Sequence, residues 1–337
     1  MSLTCGTASA FEDANMPARI ASVFVLLVLS AAGAFFPLLA VNYRFFRIPD
    51  TVIYVTRYFG SGVIVATAFI HLLGESQDSL SHPCVGDFFS DYSWAAAFSL
   101  MGVVTMFTIE AFTHRRMDHQ NLQFLSHDEE CASDIDKNDC REVTTVLAVE
   151  SRDECGVSGS SLSDLDVIKP PQDTFLKALV SIYLLEFGIV FHSVFVGLSL
   201  AVAGREFKTL FVAICFHQFF EGMGLGARFA TANWPAHMKK TPWLLSAAYA
   251  ITTPLGIAVG LGVRHLYLDD SPTSLIVVGV FDGFCSGLLI YNGLVELMAR
   301  DFINDPQMKK TSHGRFALAY MVFLLGASMM ALLGKWA

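Results

Sequence analysis

An all-α polytopic membrane fold is predicted by three features of this chain: apolar composition, eight separated apolar segments, and basic residues concentrated in alternate loops. Of the 337 residues, 53% are hydrophobic and only 16% are charged, and mean hydropathy is +0.50. A soluble core of this size uses far less apolar sequence. A bilayer-spanning helix needs about 20 apolar residues, and spans are expected near 19–41, 52–73, 93–113, 174–203, 209–227, 243–263, 274–298 and 316–334. The net charge of −9 speaks against nucleic acid as a partner. The seven cysteines contain no CxxC pair, so neither a zinc finger nor a disulfide-stapled scaffold is indicated.

In chain order, residues 1–18 form a short polar N-terminus without the basic region of a signal peptide, so the first span is expected to be retained. Spans one to three occupy 19–113, four and five 174–227, and six to eight 228–337, a 3+2+3 arrangement. One set of loops carries 15 Lys and Arg residues and the opposite set 5, which puts both termini on the extracytosolic side. Spans four and five are joined by so short a connection that they must be antiparallel neighbours. The long connection, 114–173, is acidic, Ser-rich and poor in aromatics, and is expected to be cytosolic and largely disordered. Within it, His114, His119 and His127, with Cys131 and Cys140, could make a weak metal-binding tract. No pair among them has a metal-site spacing, so incidental residues on a solvated linker are the plainer reading. Cys5 and Cys84 are the two cysteines expected outside the cytosol, and they could pair.

The chemistry concentrates in spans four and five. An ionisable side chain at membrane depth costs roughly 2.5–3.5 kcal/mol on insertion scales and marks a functional site by default. Here His192 and Ser193 lie on one span, and His217, Gln218 and Glu221 on the next. His217 and Glu221, four apart, share a helix face and can hold one cation between imidazole and carboxylate. Counting inward from the connection puts His192 and His217 at depths of roughly 16 and 12 Å, so one intramembrane metal site can use both. His71 ends the second span and is expected at the outer mouth, followed by Glu75, Asp78, His82, Asp87 and Asp91. These form either a negative vestibule that concentrates cations or an ordinary solvated loop. Glu186 could be a cytosolic-side relay or the partner of a base such as Lys177, while Asp282 is expected to make a structural hydrogen bond and Glu296 to sit near the cytosolic interface. Pro37 and Pro254, with nearby glycines, interrupt the first and sixth spans and point weakly to a transporter core.

Four motifs in this order, ATAFIHLL (66–73), HSVFVG (192–197), HQFFEG (217–222) and GLLIYNGLVEL (287–297), resemble the ZIP family of zinc and iron permeases, in its fungal and plant plasma-membrane branch. The resemblance covers all eight spans. It implies an eight-helix importer of divalent metal in which helices one, four, five and six carry the ion, sliding against the other four, in a protein that often dimerises. It also implies transport ligands at His192, Ser193, His217, Gln218 and Glu221. Val196 stands where some members have a bridging carboxylate, and Phe220 where they have proline before the glutamate, which makes a two-metal site doubtful. The long loop lacks the HxHxH run of many relatives.

The donor chemistry agrees: imidazole with carboxylate favours Zn²⁺ and accepts Fe²⁺, Mn²⁺ or Cd²⁺ as substrate, and no cofactor is expected. Cys215 should face away from His217, so copper is not. A membrane-embedded zinc hydrolase on the same ligands is the alternative of another class, but no HExxH is present. A heptahelical receptor would need an odd number of spans. The absence of a GxxxxGK[ST] loop excludes an ATP-driven pump within this single chain.

Overall fold

The computed structural model describes residues 16–46, 48–134, 171–203, 207–263 and 272–335. Eight helices among them are long and apolar enough to cross a membrane, and no strand occurs among the described residues. They are α1 (Met16–Asn42), α2 (Asp50–Leu80), α3 (Trp94–Asp134), α4 (Pro171–Val202), α5 (Phe207–Thr231), α6 (Thr241–Val263), α7 (Pro272–Asn304) and α8 (His313–Leu333). Large apolar side chains such as Phe24, Val28, Leu244 and Leu325 point outward, as expected of helices whose solvent is lipid.

Two helices are longer than their apolar cores suggest. Both contain π-helical turns: Thr67–Leu72 in α2 and Gly293–Asn304 in α7. A π turn takes an extra residue per turn and rotates everything beyond it, so faces assigned by α-helical counting shift. The third helix also runs beyond the expected boundary. Residues 114–134 continue it as helix, where a loop is expected from composition, and α4 begins at Pro171; residues 135–170 lie outside the described set. Residues 108–180 cluster as a separate unit. Within it His114 lies 3.9 Å from Glu110 and His119 is exposed. The side chains of His127 and Cys131, and residue Cys140 altogether, lie outside what is described. Cys84 is disulfide-bonded, to a partner outside the described side chains.

Helices are drawn together where glycine removes a side chain, the packing device of membrane bundles. A Cβ on Gly33 of α1 would stand 2.4 Å from the Phe219 carbonyl of α5, and one on Gly197 of α4 would stand 2.4 Å from the Thr253 carbonyl of α6. Arg19 of α1 donates to the carbonyls of Leu200, Ala201 and Ala203, satisfying the end of α4. The Tyr249 hydroxyl of α6 donates to the Gln218 carbonyl of α5 at 2.6 Å. These contacts join α1, α4, α5 and α6. A second set joins α2 to α8 at Gly62, α3 to α7 at Gly102, and α2 to α7 through Ser76, which donates to the Gly279 carbonyl at 2.6 Å.

The two sets meet backbone to backbone where α2 crosses α5: a Cβ on Gly60 would lie 2.1 Å from the Gly224 Cα. Gly60→Val should therefore force the two backbones apart and lower stability by about 2–3 kcal/mol. Gly74→Ala, with nothing within 4 Å of the added carbon, should be neutral within about 0.5 kcal/mol. Thermal unfolding of the purified protein in detergent checks both.

Candidate functional site

Three imidazoles from three helices meet inside the bundle. His71 on the π turn of α2, His192 on α4 and His217 on α5 form a triangle with ring centroids 5.9 Å (His71–His192), 5.5 Å (His71–His217) and 5.8 Å (His192–His217) apart. All three are buried. One turn beyond His217 lies Glu221, whose Oε2 is 3.5 Å from His217 Nε2. The i, i+4 geometry read from the sequence is thus present, as is the shared level of His192 and His217.

The expected position of His71 is corrected. It belongs to the histidine cluster, not to the outer mouth. The span does not end at residue 73: it continues as helix to Leu80, so His71 lies well inside it. Glu75, one turn on and half-buried, has Oε2 3.9 Å from His71 Nδ1. Asp78 is exposed, and His82 Nδ1 accepts a hydrogen bond from the Cys84 amide at 3.3 Å; neither approaches the histidines closely enough to share an ion pair or ring contact. Asp87 and Asp91 are likewise exposed.

The cluster carries polar atoms that find no protein partner. Both ring nitrogens of His192, the hydroxyl of Ser193, Nε2 of His217, both amide atoms of Gln218 and Oε1 of Glu221 are buried and unbonded, as are both carboxylate oxygens of Glu186 and the hydroxyl of Thr253. Each such group costs about 1–3 kcal/mol when left unsatisfied, and folded proteins leave few. A cation or its hydration shell is the group that would satisfy this set at once. Glu186 is buried on α4 within electrostatic reach of Glu221 and Tyr249. The side chain of Lys177 lies outside what is described.

Geometry also sets a limit. Among the described residues, no three His, Cys, Asp or Glu side chains close on a single point as a finished chelate does. Two ligands of a tetrahedral zinc stand about 3.3 Å apart, from Zn–N and Zn–O bonds near 2.0–2.1 Å. His217 Nε2 and Glu221 Oε2 are already at that separation, while the other imidazoles must tilt inward. An open set of donors suits an ion that has to leave again.

Two residues at the site carry no signal in the sequence. Tyr249, fully buried, lies between the Gln218 carbonyl and Glu221, with its oxygen 3.4 Å from Glu221 Oε2. Met330 of α8 has its sulfur 3.4 Å from His217 Nδ1. A thioether can only accept, so this contact is a hydrogen bond in the tautomer that carries the proton on Nδ1, the tautomer whose Nε2 lone pair can bind a cation. Met330→Leu keeps the volume and removes the acceptor. It should raise the KM for zinc uptake about 2–10-fold, the worth of one hydrogen bond, at unchanged surface abundance.

Asp282 departs from expectation. It is buried on α7 but makes none of the hydrogen bonds seen among the described residues, and Glu75 is within electrostatic reach. Glu296 accepts from Ser181 and from Arg300, the latter at 2.7 Å. Cys215 is a free, partly buried thiol.

Compared with known proteins, residues 16–334 match the family profile described as ZIP zinc transporter. The chain belongs to the ZIP zinc transporter family. Among its relatives, zinc-regulated transporter 1 of Saccharomyces cerevisiae is 38% identical over 96% of this chain and 89% of its own length. Zinc-regulated transporter 2 of the same yeast is 34% identical over 99% and 97%. Fe(2+) transport protein 1 of Arabidopsis thaliana is 30% identical over 99% and 90%. This ZIP protein thus aligns with those relatives nearly end to end, and the histidine cluster lies within the matched region.

Proposed function

We propose that this protein imports Zn²⁺ into the cytosol as a secondary transporter, through the His71–His192–His217–Glu221 cluster, with Ser193 and Gln218 as further donors. The observation that carries the reading is the buried triangle of imidazoles beside the Glu221 carboxyl group, with its unsatisfied polar atoms, inside an eight-helix membrane protein of the ZIP family. Relatives named as zinc transporters support zinc as the substrate. The relative named for Fe(2+) keeps ferrous iron as the second reading, since imidazole and carboxylate accept both ions and geometry decides between them.

The distribution of Lys and Arg supports extracytosolic termini and a cytosolic long loop, and the resemblance of the four motifs to the plasma-membrane branch of the family favours the plasma membrane. On that orientation the ion passes the acidic segment around Glu75 and Asp78, reaches His71, is shared among the histidines and Glu221, and leaves past Glu186. A potential of about −60 mV inside favours entry of a divalent cation by roughly 2.8 kcal/mol, so inward flow needs no nucleotide. The two sets of helices in mutual close contact, α1/α4/α5/α6 and α2/α3/α7/α8, supply bodies that can shift against one another at the bare α2–α5 crossing.

Uptake of labelled Zn²⁺ by cells expressing the protein, with Fe²⁺, Mn²⁺, Cd²⁺ and Cu²⁺ as competitors, tests the substrate. Saturable uptake suppressed most strongly by unlabelled Zn²⁺ is expected; stronger suppression by Fe²⁺ would make iron the substrate.

A further inference from the structure

We propose that the ion pair between Arg228 of α5 and Asp301 of α7 is a latch closing the inner end of the polar path, and that it must open for the ion to leave. This rests on the transport reading. Arg228 lies seven residues after Glu221, two turns along the same face of α5 and about 10 Å away. Its Nη2 donates to Asp301 Oδ2 at 2.6 Å and to the Ser61 hydroxyl of α2 at 2.8 Å. The other oxygen of Asp301 accepts from Arg57 Nη2 of α2 at 2.7 Å. One buried carboxylate therefore ties the site-bearing helix to two helices of the other set.

Where the latch sits gives it leverage. Gly224, between Glu221 and Arg228, is the point at which α5 touches α2 at Gly60 with no side chain between. Ser61 is next to Gly60, and Arg228 is one turn from Gly224. On the far side of the same crossing, His71 and His217 face each other with ring centroids 5.5 Å apart. At Gly60 and Gly224 no side chains interdigitate; beside that crossing α5 packs on α2 through Phe220 against Phe59, ring centroids 5.2 Å apart, and this cluster is the charged contact between the two helices. The Nε of both arginines is buried without a partner, so the cluster is held less fully than its charge allows.

The test compares Arg228→Gln with Arg57→Gln. Each leaves Asp301 with one arginine, but only the first frees α5. A cluster that merely stabilises the bundle would respond alike to both. The readout is the reaction rate of a cysteine placed at Leu225, a fully buried residue between Glu221 and Arg228, with a polar thiol reagent in membrane fragments open at both faces. Labelling should be at least 10-fold faster with Arg228→Gln, change less than 2-fold with Arg57→Gln, and stay slow with Arg228→Lys, which keeps a donor to Asp301. Equal labelling in the two glutamine variants, or no acceleration in Arg228→Gln, overturns the latch. Labelling does not require transport, so failure of the unmutated protein to carry zinc would refute the transporter reading while leaving this result decisive.

Discussion

Zinc uptake is expected to fall at least about 100-fold in His217→Ala, with the protein still reaching the membrane. Loss of a group that only orients a metal ligand typically costs 10–100-fold in affinity or activity, and His217 is itself a donor. Its Nε2 stands 3.5 Å from Glu221, and its ring lies within 6 Å of both His71 and His192. The alanine variant also leaves a cavity where the buried imidazole stood and takes a partner from Glu221, so a loss of folding has to be told from a loss of uptake. Surface labelling beside initial-rate uptake separates the two. Normal uptake at normal abundance would remove the cluster from the transport path.

His71→Ala should be nearly as severe, again on the order of 100-fold. An outer-mouth histidine would give a modest loss that excess zinc overcomes. The structure instead gives His71 a buried place in the triangle, 5.9 Å from His192 and 5.5 Å from His217. The maximal rate, not only the KM, should therefore collapse. Asp78→Ala, on an exposed side chain of the same helix, serves as the contrast and should change uptake about 2-fold or less, the scale of a screened surface charge. Full rescue of His71→Ala at high zinc would return it to the vestibule.

The difference between these histidines also explains what could be read from the sequence. His192, His217 and Glu221 stand out because charge or imidazole in an apolar span is costly, and the i, i+4 spacing of the latter two survives in a regular α-helix. His71 was equally visible as a residue but not in its position, since a π turn at 67–72 and an extended polar end of α2 are written in packing, not in hydropathy. Met330 and Tyr249 look like ordinary core residues; their contacts with His217 and Glu221 depend on how α8 and α6 lie against α5. Arg57 within an apolar span was a usable signal for the buried cluster with Asp301 and Arg228, because an arginine there demands a counter-charge. Composition also misplaced the end of α3, where an acidic segment that looks like linker continues the helix to Asp134.

Zinc influx into proteoliposomes tests the central claim most directly. Vesicles carrying a fluorescent zinc indicator inside would hold the purified protein or its Glu221→Ala variant, with an inside-negative potential imposed. The account predicts saturable influx with the unmutated protein, accelerated by the potential, and no influx above protein-free vesicles with Glu221→Ala. Equal influx with and without the Glu221 carboxylate, or none from correctly folded unmutated protein, would contradict it.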